Sequence, residues 1–299
     1  MARGPSQGEA LVVWAFLALD VLAVLITYSV IEPSDLYNVS RDGLAGGLSR
    51  ALVQLNYPVA LAAIPMTLLA LDALPRRGWL VGAPALALCA VVAWPGVLDQ
   101  NDLDARVVNV VPAIGVCLAF VLTVAAARRT GASFAPRRSH DGLRLASAVV
   151  LLLVALPWIA AEVGRHFPPV VFLTDAQYAE PGQAPHAAVH LGHHHGLAGT
   201  LLVLSALLLS RPRLVGAGIQ RVYAGLLCVM VAYGVANIVN DAWHEQVVKR
   251  GWTSWDVPSA TEPRLHVIWA LVLVAAAILY ALGFARGDGI VRSGDNHLR

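Results

Sequence analysis

Five histidines crowd into one short stretch: His186, His190, His193, His194 and His195. Read as a helix starting after Pro185, at about 100° per residue, His186, His190, His193 and His194 share one stripe. His195 points the opposite way, and Gly192, Gly196 and Gly199 form a separate packing face. Histidines at i and i+4 can reach a common ion. Three further positions join an imidazole to nearby carboxylates: Glu162 with His166, Asp241 and Glu245 around His244, and Glu262 with His266. Imidazole and carboxylate donors suit Zn or Fe first, with Cu(II) or Mn as the next choices. The three methionines (Met1, Met66, Met230) lie away from this set, which disfavours a Cu(I) shuttle. The expected ligands are His166, His186, His190, His193, His194, Asp241, His244 and His266. Glu245 and Glu162 are the candidate general bases.

The spacing His190-x-x-His193-His194 resembles the HxxHH box of membrane desaturases and hydroxylases, and His186-x-x-x-His190 resembles their HxxxH box. The resemblance covers nine residues. Those enzymes spread three boxes over separate segments and bind iron on the cytoplasmic face. Here the two boxes overlap, so the resemblance carries no family assignment. No P-loop, GxSxG or GxGxxG motif is present.

The elements that must position these residues follow from composition. The chain has 299 residues, 58% hydrophobic and only 13% charged, with a net charge of +2. Soluble domains carry about 25% charged residues, so an ordinary soluble enzyme, a disordered chain and a nucleic-acid binder working by bulk charge are all excluded. A single all-α integral membrane domain remains, a polytopic transmembrane bundle. Eight apolar stretches are near the length needed to cross a bilayer: 10–31, 51–73, 78–95, 107–127, 145–164, 187–210, 219–242 and 265–284. The first is too long, and lacks the cleavage site, for a signal peptide. All three cysteines fall in apolar runs and are expected to be small buried hydrophobes.

Arginines sort to one side of these stretches, 14 basic residues against seven. The basic side, which includes the loop 128–144 and the tail 285–299, is expected to be cytoplasmic, with both termini on it. Residues 1–139 contain no histidine, and eight of the ten histidines map to the outer ends of the last four stretches (145–284). Trp158, Trp243, Trp252, Trp255 and Trp269 are expected to form an aromatic belt there. Asp20, in mid-span, marks a functional position by its cost. Tyr233, Asn237 and Asn240 extend the polar stripe of Asp241 and His244 inward. Gln54, Asn56 and Tyr57 could line the same cavity. The expected function is a bacterial membrane metalloenzyme, hydrolase or oxidase, acting on a lipid or amphiphile. A divalent-metal transporter, a b-type haem protein and an assembly factor with structural histidines follow in that order. Haem ranks low because no histidine lies in the inner half of a span.

Overall fold

The structure is a computed structural model that describes residues 5–168, 176–179, 185–261 and 266–285. Asp175, Glu180, Glu262, His297 and the tail 286–299 lie outside the described residues. The fold is all-helical. The helices are α1 (Gly8–Val30), α2 (Gly43–Gln54), α3 (Leu61–Ala73), α4 (Trp79–Ala90), α5 (Val110–Thr130), α6 (Asp141–Glu162), α7 (His195–Leu209), α8 (Ala217–Trp243) and α9 (Val267–Tyr280). A two-residue antiparallel pair, β1 (Gln177–Tyr178) with β2 (His186–Ala187), is the only sheet among the described residues.

Seven of these helical stretches are long and apolar enough to cross a membrane: Gly8–Val30, Gly43–Ala73, Arg76–Ala93, Val107–Thr130, Asp141–Glu162, Ala217–Val248 and Val267–Phe284. The outer surfaces of α6 and α9 present Val150, Leu153, Leu271 and Val274 unburied. Such a surface is a liability in water and ordinary against lipid. The second stretch is broken where Pro58 denies a backbone donor and forces the preceding Tyr57 into an extended conformation (φ −133°, ψ 123°).

The sixth stretch differs from expectation. A helix over 187–210 was expected, but α7 begins only at His195 and has 15 residues. At 1.5 Å per residue it is about 22 Å long, short of the ~30 Å of a bilayer core. Residues 186–194 are non-helical instead, with β2 and the bridging Leu191 separated by bends at 188, 189 and 192. Leu191 bridges to Leu36, and the Leu191 amide donates to the Asp35 carbonyl. Gly192 adopts φ +91°, outside any helix, and His194 is extended (φ −122°, ψ 143°). The histidines therefore form no helical stripe.

The seventh stretch runs further than expected, because α8 continues through π-helical turns over His244–Val248. α7 packs directly on α8: a Cβ on Gly199 would stand 2.4 Å from the Gly234 carbonyl oxygen, so the two backbones touch.

At the arginine-rich end, the buried Glu9 carboxylate accepts from Arg211 Nη1 (3.0 Å) and from the Ala135 amide (2.9 Å). Asp72 accepts from the Val215 amide (2.6 Å). These contacts tie the loops before α6 and before α8 to α1 and α3.

Two other expectations change. Trp158 is buried against Gly196 rather than placed in a belt, while Trp252 and Trp255 are exposed. Cys89 and Cys228 are buried, but Cys117 faces outward.

Candidate metal centre

The non-helical segment 186–194 does by other means what a helix was expected to do. Stepping from β2 to the start of α7, it delivers its histidines into the bundle one after another, and alternate residues face different neighbours. His190 and His194 turn toward the end of α8, and His193 turns toward α1 and α6. Two buried groups result.

In the first group, His190, His194 and Glu245 each place one donor atom within 4.8 Å of the others. The two imidazoles lie face to face, centroids 4.4 Å apart and planes 4° from parallel. His190 Nδ1 meets the Leu191 carbonyl at 2.8 Å. A carbonyl only accepts, so Nδ1 carries a proton, and Nε2 is the ring nitrogen that faces Glu245 Oε1 at 3.7 Å. A backbone carbonyl that fixes the tautomer in this way is a usual accompaniment of a metal-ligating histidine. Asp241 Oδ2 stands 3.8 Å from His194 Nδ1. Among the described residues, neither ring nitrogen of His194 has a hydrogen-bond partner, nor has Glu245 Oε2.

The π-helical turns at the end of α8 bring Lys249 onto the same group. Its Nζ lies 2.6 Å from Glu245 Oε1 and 4.7 Å from the centroid of the Tyr37 ring, which itself stacks on His190. A cavity of about 320 Å³ opens beside the group; His244, Asp256, Ser259 and Thr261 are among the residues lining it.

The second group is Asp20, Glu162 and His193, again with one donor atom each within 4.8 Å. His193 Nδ1 lies 3.6 Å from Glu162 Oε2. Gln54 Nε2 donates to Asp20 Oδ2 (2.5 Å) and Gln54 Oε1 accepts from Arg50 Nη2 (3.2 Å). Arg50 is itself buried, 2% exposed, and lies 5.8 Å from the centroid of the Tyr28 ring. The Thr27 hydroxyl donates to the Glu162 carbonyl, which fixes the end of α6 against α1.

The remaining expected residues are placed as follows. His186 is buried edge-on to Tyr37 and 5.9 Å from His190 by centroids, beside the first group but not in it. His244 turns outward to Asp256 (3.1 Å). His266 is exposed at the start of α9, and His166 lies in the loop after α6; neither joins a group. The two groups therefore form without His244, which lines the adjoining cavity and meets Asp256, and without His266. Tyr233 donates to Gln100 (2.5 Å) and stacks on Trp269, and Asn240 donates to the Val257 carbonyl (2.9 Å). Asn237 is fully buried with its amide unpartnered among the described residues. Asn56 pairs with Asn109, away from both groups.

Sequence reasoning missed Arg50, Lys249 and Tyr37. One signal was available, since Lys249 is the single lysine in the chain.

Gly192 decides the placement of the segment. A Cβ there would lie 2.5 Å from the Tyr28 ring, and its φ is one that L side chains rarely adopt. Gly192→Ala is expected to lower stability by about 2–3 kcal/mol, strain and clash together. Chemical denaturation in detergent, compared with Gly218→Ala in open space on α8 as control, checks this. Equal midpoints would refute it.

The fold and site together define a class: an all-helical protein with several apolar helices able to cross a membrane and two buried groups of potential metal ligands. Residues 56–159 match a family model described as a protein of unknown function (DUF2637). That match covers about a third of the chain, from the broken second stretch to near the end of α6, and includes no residue of either group. No curated protein and no solved structure matches the chain at a significant level.

Proposed function

We propose that the protein is a multi-pass membrane metalloenzyme, a hydrolase or oxidase, whose ion is held by His190, His194 and Glu245. One observation carries this reading: three donor atoms from two distant segments converge in the interior, and both ring nitrogens of His194 and Glu245 Oε2 find no hydrogen-bond partner among the described residues. Buried polar groups are costly unless satisfied, and an ion would engage one His194 nitrogen and Glu245 Oε2 together. Zn and Fe suit the donors best, with Cu(II) or Mn next. Haem is disfavoured because rings stacked at 4.4 Å leave no slot for a macrocycle between them.

The adjoining cavity would admit an amphiphilic substrate. Lys249 would hold Glu245 Oε1 and leave Oε2 to the ion. Asp241 would accept charge or a proton beside His194. When bound, the ion would supply Lewis acidity or redox chemistry. Glu245 is thereby read as a ligand, and Glu162 belongs to the second group, not to the first.

In this reading α7 and its non-helical lead-in make the eighth crossing. Both termini then lie on the arginine-rich, cytoplasmic side of a bacterial inner membrane, and the histidines near the outer side.

The test is elemental analysis of protein purified without chelator. About one transition-metal ion per chain is expected, and less than about 0.2 would overturn the proposal.

A divalent-metal transporter is the second reading. It is favoured by the second group at the midpoint of α1 and by the short α7 with its non-helical lead-in, features of the kind transporter sites use. Metal uptake into vesicles that is lost in Asp20→Asn would move it to first place.

A further inference from the structure

At the end of the bundle opposite the two ligand groups, α6, α7, α8 and α9 leave a groove of about 730 Å³, with His140 among its lining residues. Its walls are apolar, with Leu207, Leu227, Val231 and Leu279 among them. Its mouth is cationic, lined by Arg138, Arg144, Arg213 and Arg221. From Arg221 to Val231 along α8 the groove descends ten residues, about 15 Å at the helical rise, which is half the ~30 Å hydrocarbon core. Leu143 and Leu282 on its flanks are exposed, so the groove opens sideways to where acyl chains lie.

The charges at the mouth are not balanced. Arg144 pairs with Asp141 (3.0 Å) and donates to Ser210 (2.9 Å), and Arg211 shares Asp141 (3.3 Å). Asp141 is therefore already engaged. The guanidinium groups of Arg138, Arg213 and Arg221 have no carboxylate within ion-pair distance among the described residues. Partial burial, with the positive charges of Arg213 and Arg144, pushes the Arg138 guanidinium below its ordinary pKa. A dianionic or monoanionic phosphate ester would relieve this crowding, since arginine forks match phosphate oxygens.

We propose that this groove is a binding site for one anionic phospholipid of the adjoining leaflet, its phosphate held by Arg138, Arg213 and Arg221 and an acyl chain lying between α6, α8 and α9. The depth of one leaflet, the lateral opening and the cationic mouth all fit this occupant. Basic pockets between membrane helices recognise anionic headgroups by the same chemistry. The site shares no residue with the metal centre and stands or falls separately from it.

The experiment is native mass spectrometry of the full chain in detergent, offered phosphatidylglycerol and phosphatidylcholine of matched chains. Wild type should retain the anionic lipid about tenfold over the zwitterionic one. Replacing Arg138, Arg213 and Arg221 together with alanine should bring the ratio to about one while leaving weak binding of both. Gly283→Trp should reduce both lipids, because Gly283 lines the groove and a side chain there meets nothing within 4 Å. Equal retention of the two lipids by wild type would overturn the proposal, as would a preference that survives the triple replacement. Displacement of phosphatidylglycerol by millimolar inorganic phosphate would reassign the mouth to the free anion and equally overturn it.

Discussion

Replacing His194 with alanine should empty the metal centre, taking the ion content of purified protein from about one per chain to below about 0.2. His190→Ala should do the same. Each substitution leaves two of three donors, and a two-donor protein site holds a divalent ion only weakly. Glu245→Gln should weaken the site too, because an amide oxygen replaces a carboxylate and Lys249 loses its counter-charge at 2.6 Å. The informative contrasts are His244→Ala, His266→Ala and His166→Ala. His244 faces Asp256 and the other two lie outside both groups, so all three variants should keep their metal. Metal retained in His190→Ala, or lost in His266→Ala, would refute the assignment of ligands. Thermal unfolding of each variant by near-UV dichroism separates loss of an ion from loss of the fold.

The second large effect concerns Arg50. Its guanidinium is the buried positive charge facing Asp20 and Glu162, one through Gln54 and both through space. Arg50→Leu leaves two carboxyl groups and an imidazole in a low-dielectric interior with no fixed cation. Removing one member of a buried charge set in this way costs about 3–5 kcal/mol, a large fraction of the stability of a folded domain. The prediction has an internal control. Adding Asp20→Asn to Arg50→Leu removes an unbalanced charge, so the double variant should be more stable than Arg50→Leu alone. Denaturant midpoints for the four members of this cycle give the coupling directly. Additive effects would mean that Arg50 serves packing against Tyr28 and not charge.

The helices were legible in the sequence because crossing a bilayer imposes a requirement on composition alone, about 20 apolar residues in a row. α1, α5, α6 and α8 needed no partner to be recognised. The histidines were legible as a cluster for a similar reason, since polar groups are rare enough in such a chain to stand out.

Their geometry was not legible. Spacings of four, three and one residues fit a helix face as well as they fit a non-helical run whose residues point different ways. The deciding signal, Gly192, was read as a packing residue when its backbone conformation, at φ +91°, is what turns the chain between His190 and His194. The partition into two groups was hidden for another reason. His193 meets Asp20 and Glu162, and His190 meets Glu245, only through contacts between distant segments, and no pattern along one chain encodes these. Arg50 was passed over because it sits at the edge of an apolar stretch, where arginines ordinarily reach for water. It turns inward because Gln54, one turn away, gives its fork a buried partner.

Lys249 has a consequence outside energetics. It is the only side-chain amine in 299 residues, and it lies within the candidate centre, buried between Glu245 and two tyrosine rings. Amine-directed reagents therefore have a single internal address on this protein. The rate at which that address is modified becomes a readout of how often the site opens, for whatever molecule is added beside it.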